Sequence, residues 1–380
     1  MQPDVGLALS GGGSRAAAFH RGTVRALAEL GIVPRIKTLS SVSGGSVFAA
    51  AWLAARARGK TDEQFLAWMG DVLERGFIRP ALLHWRALKL LWPGWSRTHR
   101  IAETFDEILF DKLSWSDLPA TPLLCLNTTN LNNAGSGRFS QTGYSGEGVG
   151  ELVGDSYQEG AVKDATIGFA TAASAAFPFG LPPLSIARER FAFPLANSLD
   201  GCSNLMFTDG GILENLGIER LLHSHKFETP HVISSDAGLR DRTWKPGGIV
   251  GRTRSALIFA LSSEILERLL LVMNDKQNKS MRELLYARLL ATPEKGRRVL
   301  YVRLQQNWAD LLHDASGPEL AKAREIYDAM GGDAAAKRAN DVATSFGALS
   351  RDTLDLLEAH ARWQVHASTA VYANDLLPAT

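Results

Sequence analysis

Two short glycine- and serine-rich blocks near the start of the chain could together carry acyl-transfer chemistry. One spans residues 11–15 (GGGSR) and the other residues 41–45 (SVSGG). Each follows a short apolar run and precedes an Ala-rich stretch with a helical pattern. Successive glycines leave backbone N–H groups open to an oxyanion, and a serine on a sharp strand-to-helix turn is presented as a nucleophile. The pattern predicts a serine hydrolase with Ser43 as nucleophile.

A phosphate-binding loop is the competing interpretation of the first block, because glycines at a helix N-terminus also bind phosphates. No Gly-Lys-Ser/Thr follows, and Ala16 stands where the Gly-x-Gly-x-x-Gly pattern has its third glycine. Arg15 could reinforce an anion site or form a surface ion pair. The sequence favours the oxyanion interpretation over nucleotide binding.

Two later blocks could complete such a site. Residues 208–211 (TDGG) follow the apolar run 205–207, which puts Asp209 on a turn at the end of a predicted strand. Open α/β sheets build their sites at the carboxyl ends of strands. Between nucleophile and carboxylate lie residues 172–178 (AASAAFP), whose small side chains suit a helix packed tightly under a site.

These four blocks, in this order, resemble the patatin-like phospholipase family over most of residues 5–240. The resemblance implies a three-layer α/β/α sandwich and a Ser–Asp dyad, with Ser43 as nucleophile and Asp209 as general base. The oxyanion and substrate-binding site would be formed by Gly11, Gly12, Gly13 and Arg15. Substrates of the family are acyl esters, chiefly phospholipids and related lipids, cleaved through an acyl-enzyme without a metal or cofactor.

The dyad is chemically reasonable. A serine hydroxyl is a weak nucleophile until a positioned base accepts its proton. If a covering lid desolvates Asp209, the pKa of its carboxyl rises towards the range in which it can act as that base. The developing negative charge would then lie against the N–H groups of the glycine block.

The chain departs from the family pattern at two positions. Ser41 stands where the family usually has the first Gly of Gly-x-Ser-x-Gly, and Ala16 stands where it usually has Gly after the arginine. A Cβ at Ser41 predicts a distorted turn, or one that tolerates only a small side chain. This motivates a catalytically weak lipid-binding or effector module as an alternative function.

A Ser-His-Asp esterase is the other alternative. His231 and His360 occur late enough in the chain to complete a triad, but that fold places its nucleophile after several strands, whereas Ser43 follows the second. The pair His223 and His225 suggests a metal site, yet no third ligand lies nearby, so we expect surface histidines and no metal.

The predicted organisation is a single α/β domain over residues 1–380. It has a catalytic core at 5–240, a helical insert at about 60–118 and a mainly helical part at about 245–380. Successive strand–helix units predict a mostly parallel central sheet with helices on both faces. Predicted strands are Val5–Leu9, Ile36–Ser40, Pro122–Asn127, Leu205–Thr208, His231–Asp236 and Val299–Leu304.

Two segments raise further expectations. The stretch Trp85–Trp95 mixes bulky apolar side chains with cations. It would either lie in a lipid interface or pack on the sheet while its cations extend to water. Residues 130–160 are rich in Gly, Ser and Asn and predict a long irregular loop, either a lid or disordered.

Composition excludes some classes of partner. The chain has 41 Lys and Arg against 40 Asp and Glu, a net charge of +1, which argues against nucleic acid as the main partner. Cys125 and Cys202 have no metal-ligand spacing and are expected to be buried, reduced thiols. No secretory leader is evident, and the longest apolar stretch, 47–55, is too short to span a bilayer. We expect a cytoplasmic protein that contacts lipid peripherally.

Overall fold

A mixed β-sheet lies at the centre of the fold. The computed structural model describes residues 3–76, 96–153, 156–178, 180–223, 229–238, 272, 276–287, 298–311 and 316–377. Within these residues nine strands form one sheet and two further strands pair with each other. The strands are β1 (Val5–Leu9), β2 (Ile36–Ser41), β3 (Leu123–Asn130), β4 (Gly135–Ser140), β5 (Gly143–Gly146), β6 (Leu152–Val153), β7 (Ser156–Tyr157), β8 (Leu184–Ala187), β9 (Asn204–Asp209), β10 (His231–Asp236) and β11 (Arg298–Arg303).

The sheet is parallel on one side and antiparallel on the other. Strands β11, β10, β1, β2 and β3 follow one another in parallel. Beyond them β4 and β5 continue as an antiparallel meander, and β9 pairs antiparallel with both β3 and β8. The carboxyl ends of the parallel strands therefore share one edge, where α/β proteins place their sites.

Helices cover both faces of the sheet. They are α1 (Gly13–Glu29), α2 (Gly44–Ala57), α3 (Asp62–Arg75), α4 (Arg97–Thr104), α5 (Ile167–Ser174), α6 (Glu219–His223), α7 (276–287), α8 (Pro318–Met330), α9 (Gly332–Asp341) and α10 (Arg351–Tyr372). Shorter helical turns are Val33–Arg35, Phe105–Leu109, Trp115–Asp117, Arg188–Arg190, Asn197–Leu199, Gly210–Ile212, Trp308–Asp310 and Asn374–Leu376. This is the predicted three-layer architecture.

Period-two alternation in the buried strands separates two apolar layers. Leu7 and Leu9 of β1 contribute to the large core beneath α1, α2 and α10, whereas the intervening Ala8 belongs to a smaller core. That smaller core also contains residues of α6 and α7, such as Leu221 and Leu285. Because both sides of β1 are covered, its sequence is apolar at every position.

Helices α1 and α10 cross at close range. A Cβ at Gly22 of α1 would lie 2.0 Å from the Glu358 carbonyl oxygen of α10, so only glycine permits this approach. Arg21 of α1 also pairs with the Glu358 side chain at 2.9 Å. The crossing holds the C-terminal helix against the first helix of the core.

The structure corrects several sequence-based expectations. Residues 130–160 are not one irregular loop: they contain β4 and β5, the pair β6–β7, and most of their glycines lie in or beside strands. Strand β8 was not predicted. Cys125 is buried as expected, but Cys202 is partly exposed. The predicted helical insert contains α3 and α4, and Trp85–Trp95 lies outside the described residues.

The described residues of the C-terminal part are mainly helical, as predicted, with β11 added at the sheet edge. Of the predicted helical stretch 253–290, residues 272 and 276–287 are described and are helical. Among the described helices, none combines the length and apolar character that a bilayer span requires.

Candidate active site

Ser43 occupies a sharp turn between β2 and α2. Its backbone has φ 52° and ψ −120°, a conformation that non-glycine residues rarely adopt. A hydrogen-bonded frame holds the turn, since the Ser43 N–H donates to the Ser174 carbonyl oxygen at 3.1 Å. Ser43 is 6% exposed. Strain of this kind, maintained by surrounding contacts, is typical of a nucleophile turn.

The glycine after Ser43 allows two turns to touch. A Cβ at Gly44 would lie 2.2 Å from the Gly13 carbonyl oxygen, and a Cβ at Gly11 would lie 3.1 Å from the Ser43 Cβ. The starts of α1 and α2 are therefore packed backbone to backbone. The structure brings the glycine block and Ser43 together.

A chain of hydroxyl groups lies beneath the turn and accommodates Ser41. The Ser46 hydroxyl donates to the Ser41 hydroxyl at 3.1 Å and also contacts the Ser174 hydroxyl at 2.8 Å. The Ser41 hydroxyl in turn donates to the Cys125 carbonyl oxygen at 3.3 Å. Ser41 keeps its strand pairing with Leu9, so its Cβ does not interrupt β2.

Asp209 ends β9 and lies next to Ser43. Its carboxyl accepts a hydrogen bond from the Gly211 N–H at 2.7 Å and one from the Ser43 side chain. The residue is 2% exposed, and burial raises the pKa of Asp209 to about 7 although both hydrogen bonds act to lower it. A carboxyl with this pKa exchanges a proton near neutral pH, as a general base must.

The glycine turn (Gly11–Gly13) lies at the start of α1 and holds two N–H groups that have no acceptor among the described residues. Gly12 and Gly13 have φ angles of 142° and 63°, and Gly12 gives the helix no side-chain cap. The Gly11 N–H donates to the Asn215 carbonyl oxygen at 3.0 Å. Within the described part of the chain, the N–H groups of Gly12 and Gly13 have no acceptor. Such groups at a helix N-terminus bind negative charge.

Arg15 lies behind the glycine turn. Its guanidinium donates to the Ala237 carbonyl oxygen from Nε at 3.1 Å and from Nη2 at 2.8 Å. Nη1 donates to the Val342 carbonyl oxygen at 3.0 Å. The side chain is 1% exposed and connects the turn to the end of β10 and to the segment after α9.

Glu214 and Asn215 form a second support that sequence reasoning did not assign. The Glu214 carboxylate accepts the backbone N–H groups of four successive residues, 216–219. Burial raises the pKa of Glu214 to about 7, against the effect of these donors. The folded loop places the Asn215 amide oxygen 2.2 Å from where a Cβ on Gly11 would lie and 2.5 Å from one on Gly211.

The histidines considered for a triad lie elsewhere. His231 begins β10, at the opposite end of the sheet from Ser43, and its ring pairs with Asp375 at 2.8 Å. Both ring nitrogens of His360 are occupied, one by the Leu304 carbonyl oxygen and one by the Trp363 indole. His225 and the side chain of His223 lie outside the described residues. In the described residues, no cluster of three His, Cys, Asp or Glu side chains could hold a metal ion.

A family model described as patatin-like phospholipase matches residues 7–222. The chain belongs to the patatin-like phospholipase family. That stretch covers more than half of the chain and includes Ser43, Asp209 and the glycine turn. The family and the fold class expected from the sequence motifs are thereby confirmed.

Solved structures of human GIVD cytosolic phospholipase A2 share this patatin-like fold. One has a TM-score of 0.55 at 13% identity, over 98% of this chain and 62% of that one. A complex with methyl gamma-linolenyl fluorophosphonate inhibitor and terbium chloride has a TM-score of 0.50 at 15% identity, over 98% and 59%. The chain thus spans about 60% of the length of these proteins. No curated protein matches its sequence.

Proposed function

We propose that this protein is a serine lipid acyl hydrolase that cleaves carboxylic ester bonds of phospholipids or related lipids. The observation that carries the proposal is the hydrogen bond between Ser43, on its strained turn, and the buried carboxyl of Asp209. Membership of the patatin-like phospholipase family supports the class of reaction and the lipid substrate.

The proposed reaction proceeds through an acyl-enzyme. The Ser43 Oγ attacks the ester carbonyl carbon while its proton passes to Asp209, which gives a tetrahedral intermediate with one negative oxygen. Collapse breaks the bond to the leaving alcohol, which takes the proton from Asp209. Water then attacks the acyl-enzyme with Asp209 again accepting the proton, and the carboxylic acid leaves as Ser43 is restored.

The free N–H groups of Gly12 and Gly13 are proposed to hold the negative oxygen. They lie beside the start of α2, and the Gly44 N–H next to Ser43 also has no acceptor among the described residues. Loss of one donor of this kind typically costs about 3–4 kcal/mol of transition-state stabilisation. Arg15 is proposed to keep the turn in place through Ala237 and Val342, because its guanidinium is occupied by their carbonyl oxygens.

Two substitutions test the dyad. We expect Ser43→Ala and Asp209→Asn each to reduce hydrolysis of phospholipid and of a soluble short-chain ester at least 1000-fold, since each removes the nucleophile or its base. Exposed Ser114 offers a matched control, and Ser114→Ala should retain activity. Labelling with a fluorophosphonate should modify Ser43 in the unaltered chain.

The alternatives give different results in the same assays. A lipid-binding module without turnover would not be labelled at Ser43 under any condition. A Ser-His-Asp esterase would lose activity in a folded His231→Ala or His360→Ala variant. The dyad predicts substantial activity in both histidine variants, because neither ring contacts Ser43.

We also propose peripheral lipid contact through Trp85–Trp95, which rests on the sequence pattern alone. Replacing Trp85, Trp92 and Trp95 by Ala should reduce hydrolysis of phospholipid vesicles at least tenfold while leaving hydrolysis of a soluble short ester within about twofold. Rates on both substrates measured side by side test this. An equal loss on both would identify these side chains as core residues.

A further inference from the structure

The segment 342–349 between α9 and α10 crosses the glycine turn; we call it the strap. Its Ser345 carbonyl oxygen accepts the Ser14 N–H at 2.6 Å, and its Gly347 carbonyl oxygen accepts the Ser14 hydroxyl at 2.8 Å. Ser345 forms a parallel bridge with Gly13. At the start of the strap, Val342 accepts the Arg15 guanidinium.

The strap replaces the missing cap of α1. The first N–H groups of a helix lack partners within the helix, and Gly12 has no side chain to satisfy one. Ser345 satisfies the Ser14 N–H with its backbone carbonyl. The N–H groups of Gly12 and Gly13 stay without a protein acceptor among the described residues, so Ser14 is the first residue of the turn whose N–H the strap accepts.

Gly13 is held from two sides by backbone. A Cβ at Gly13 would lie 2.2 Å from the Ser345 carbonyl oxygen, and a Cβ at Gly44 would lie 2.2 Å from the Gly13 carbonyl oxygen. The order in space is therefore the nucleophile turn, the glycine turn and the strap. A displacement of the strap removes one of the two surfaces that fix the position of Gly13.

The strap is anchored at several points to rigid elements. Val342, Phe346 and Leu349 pack against the large apolar core, and the Leu349 N–H donates to the Leu73 carbonyl oxygen at 3.1 Å. Its end leads into α10, where the Ser350 side chain accepts the Thr353 N–H. These anchors fix its backbone, which is what a positioning element needs.

We propose that the strap is a positioning element of the oxyanion site, supplied by a part of the chain that lies outside the family-matched residues 7–222. The inference rests on the proposed function and adds to it. The strap does not touch the reacting atoms; it holds the Gly12 and Gly13 N–H groups where the negative oxygen forms. Its loss should therefore reduce kcat and leave KM nearly unchanged.

The first test removes one contact. Ser14→Ala deletes the hydrogen bond to Gly347 and should reduce kcat on a soluble ester five- to twentyfold, with KM changed less than twofold. Fluorophosphonate labelling of Ser43 should slow by a similar factor, because it also develops charge at the oxyanion site. Ser114→Ala is the matched control: it deletes a side-chain hydrogen bond to Asp117 at an exposed turn, away from the strap, and should leave kcat unchanged.

The second test cuts the strap in the full-length chain. A specific protease site inserted between Ala343 and Thr344, which are exposed, permits cleavage after folding. Cleavage should reduce kcat and the labelling rate at least tenfold while circular dichroism shows the helices intact. An unchanged or increased kcat and labelling rate after cleavage overturns the proposal. An increase would show that the strap covers the site and limits access to it.

The uncut chain separates this inference from the proposed function. If uncut chain is labelled at Ser43 and cleavage changes nothing, the strap proposal alone is wrong. If uncut chain with an intact fold is never labelled, the hydrolase proposal fails and the strap proposal fails with it.

Discussion

At the scale of single residues, the candidate site depends on one buried acid whose surroundings oppose its charge. Asp209 is almost fully buried and receives two hydrogen bonds, yet burial dominates and raises the pKa of its carboxyl to about 7. The elevated pKa means that the folded protein is less stable with Asp209 ionised than with it protonated. Desolvation of Asp209 thus raises its pKa and lowers the free energy of unfolding when the carboxyl is ionised.

This cost predicts a pH-dependent effect of Asp209→Asn on stability. Between the ordinary pKa of 3.8 and the folded value of about 7, the folded state binds more protons, so Asp209 makes stability fall as pH rises through that window. In Asp209→Asn the neutral amide does not ionise, so the variant does not lose this stability as pH rises. We expect the variant to be more stable than the parent at pH 8, by about 2–4 kcal/mol, and the difference to shrink towards pH 4.

Urea unfolding at pH 4, 6 and 8 measures this effect. Asp200→Asn, at an exposed position, is a suitable control and should show no comparable trend. A variant that is less stable than the parent at pH 8 would contradict a raised pKa at Asp209.

Sequence predicted some of the site residues and not others, for a physical reason. Ser43, Asp209 and the glycines are recognisable because turns with unusual backbone geometry need specific residue types. The roles of Ser345 and Val342 depend on backbone carbonyl groups that every residue carries. No side-chain pattern marks them, and the hydrogen bonds they accept come from residues more than 300 positions earlier.

At the scale of elements, the loop after β9 shows how one side chain shapes a segment. Glu214 accepts four backbone N–H groups from residues 216–219, and α6 starts at Glu219. The loop carries Asn215, whose backbone fixes Gly11 and whose amide lies between two glycines of the site. The carboxylate thus links the turn that carries Asp209 to the glycine turn.

We expect Glu214→Gln to destabilise this loop. At pH 8 both oxygens of the ionised carboxylate accept backbone N–H groups, whereas the amide NH₂ would point one donor at backbone donors. This clash outweighs the stability gained by removing a charge whose pKa is raised by burial, for a net cost of about 1–2 kcal/mol. Chemical denaturation at pH 8 checks this. Glu219→Gln, at the neighbouring exposed position, is the control and should change stability by less than about 0.5 kcal/mol. Equal effects of the two substitutions would remove this role from Glu214.

Element prediction failed where composition and structure point in different directions. Residues 130–160 are rich in Gly, Ser and Asn, which are depleted in strands, yet they form β4 and β5 against the edge of β3. Glycines at 137 and 146 make room for the ring of Tyr144, whose hydroxyl would lie 2.1 Å from a Cβ on Gly137. Packing of two glycines around one aromatic ring is a long-range feature of this pairing that no local sequence pattern reveals.

At the scale of the whole molecule, a buried histidine joins the first helix to the C-terminal helices. His366 of α10 is 0% exposed, and its ring nitrogens lie 2.8 Å from Glu29 of α1 and 2.7 Å from Glu319 of α8. The ring therefore lies between two carboxylates and links α1 to α8 from within α10. Arg362 adds a further ion pair to Glu29.

The contacts of Glu29 with His366 and Arg362 predict that the folded protein loses stability in acid. Burial acts to raise the pKa of Glu29, but hydrogen bonds from His366 and Arg362 prevail and lower it to about 2, below the ordinary 4.5. A lowered pKa contributes stability above about pH 4.5 that disappears as pH falls towards 2. Glu29→Gln should therefore cost about 1–3 kcal/mol at pH 7 and much less at pH 3.

Thermal unfolding of parent and Glu29→Gln between pH 3 and 7 checks this, with exposed Glu63→Gln as control. A cost that does not decline in acid would show that the ion pairs at Glu29 contribute nothing to the pH dependence.

The strap also determines the order in which the site can be assembled during synthesis. Ser43 and Asp209 have both left the ribosome about 136 residues before Ser345 does, an interval on the order of 10 s at common elongation rates. Throughout that interval the start of α1 lacks the carbonyl groups that later cover it. A nascent chain thus holds Ser43 and Asp209 well before its glycine turn is secured, and the proposed hydrolytic competence arrives only once the strap has been synthesised.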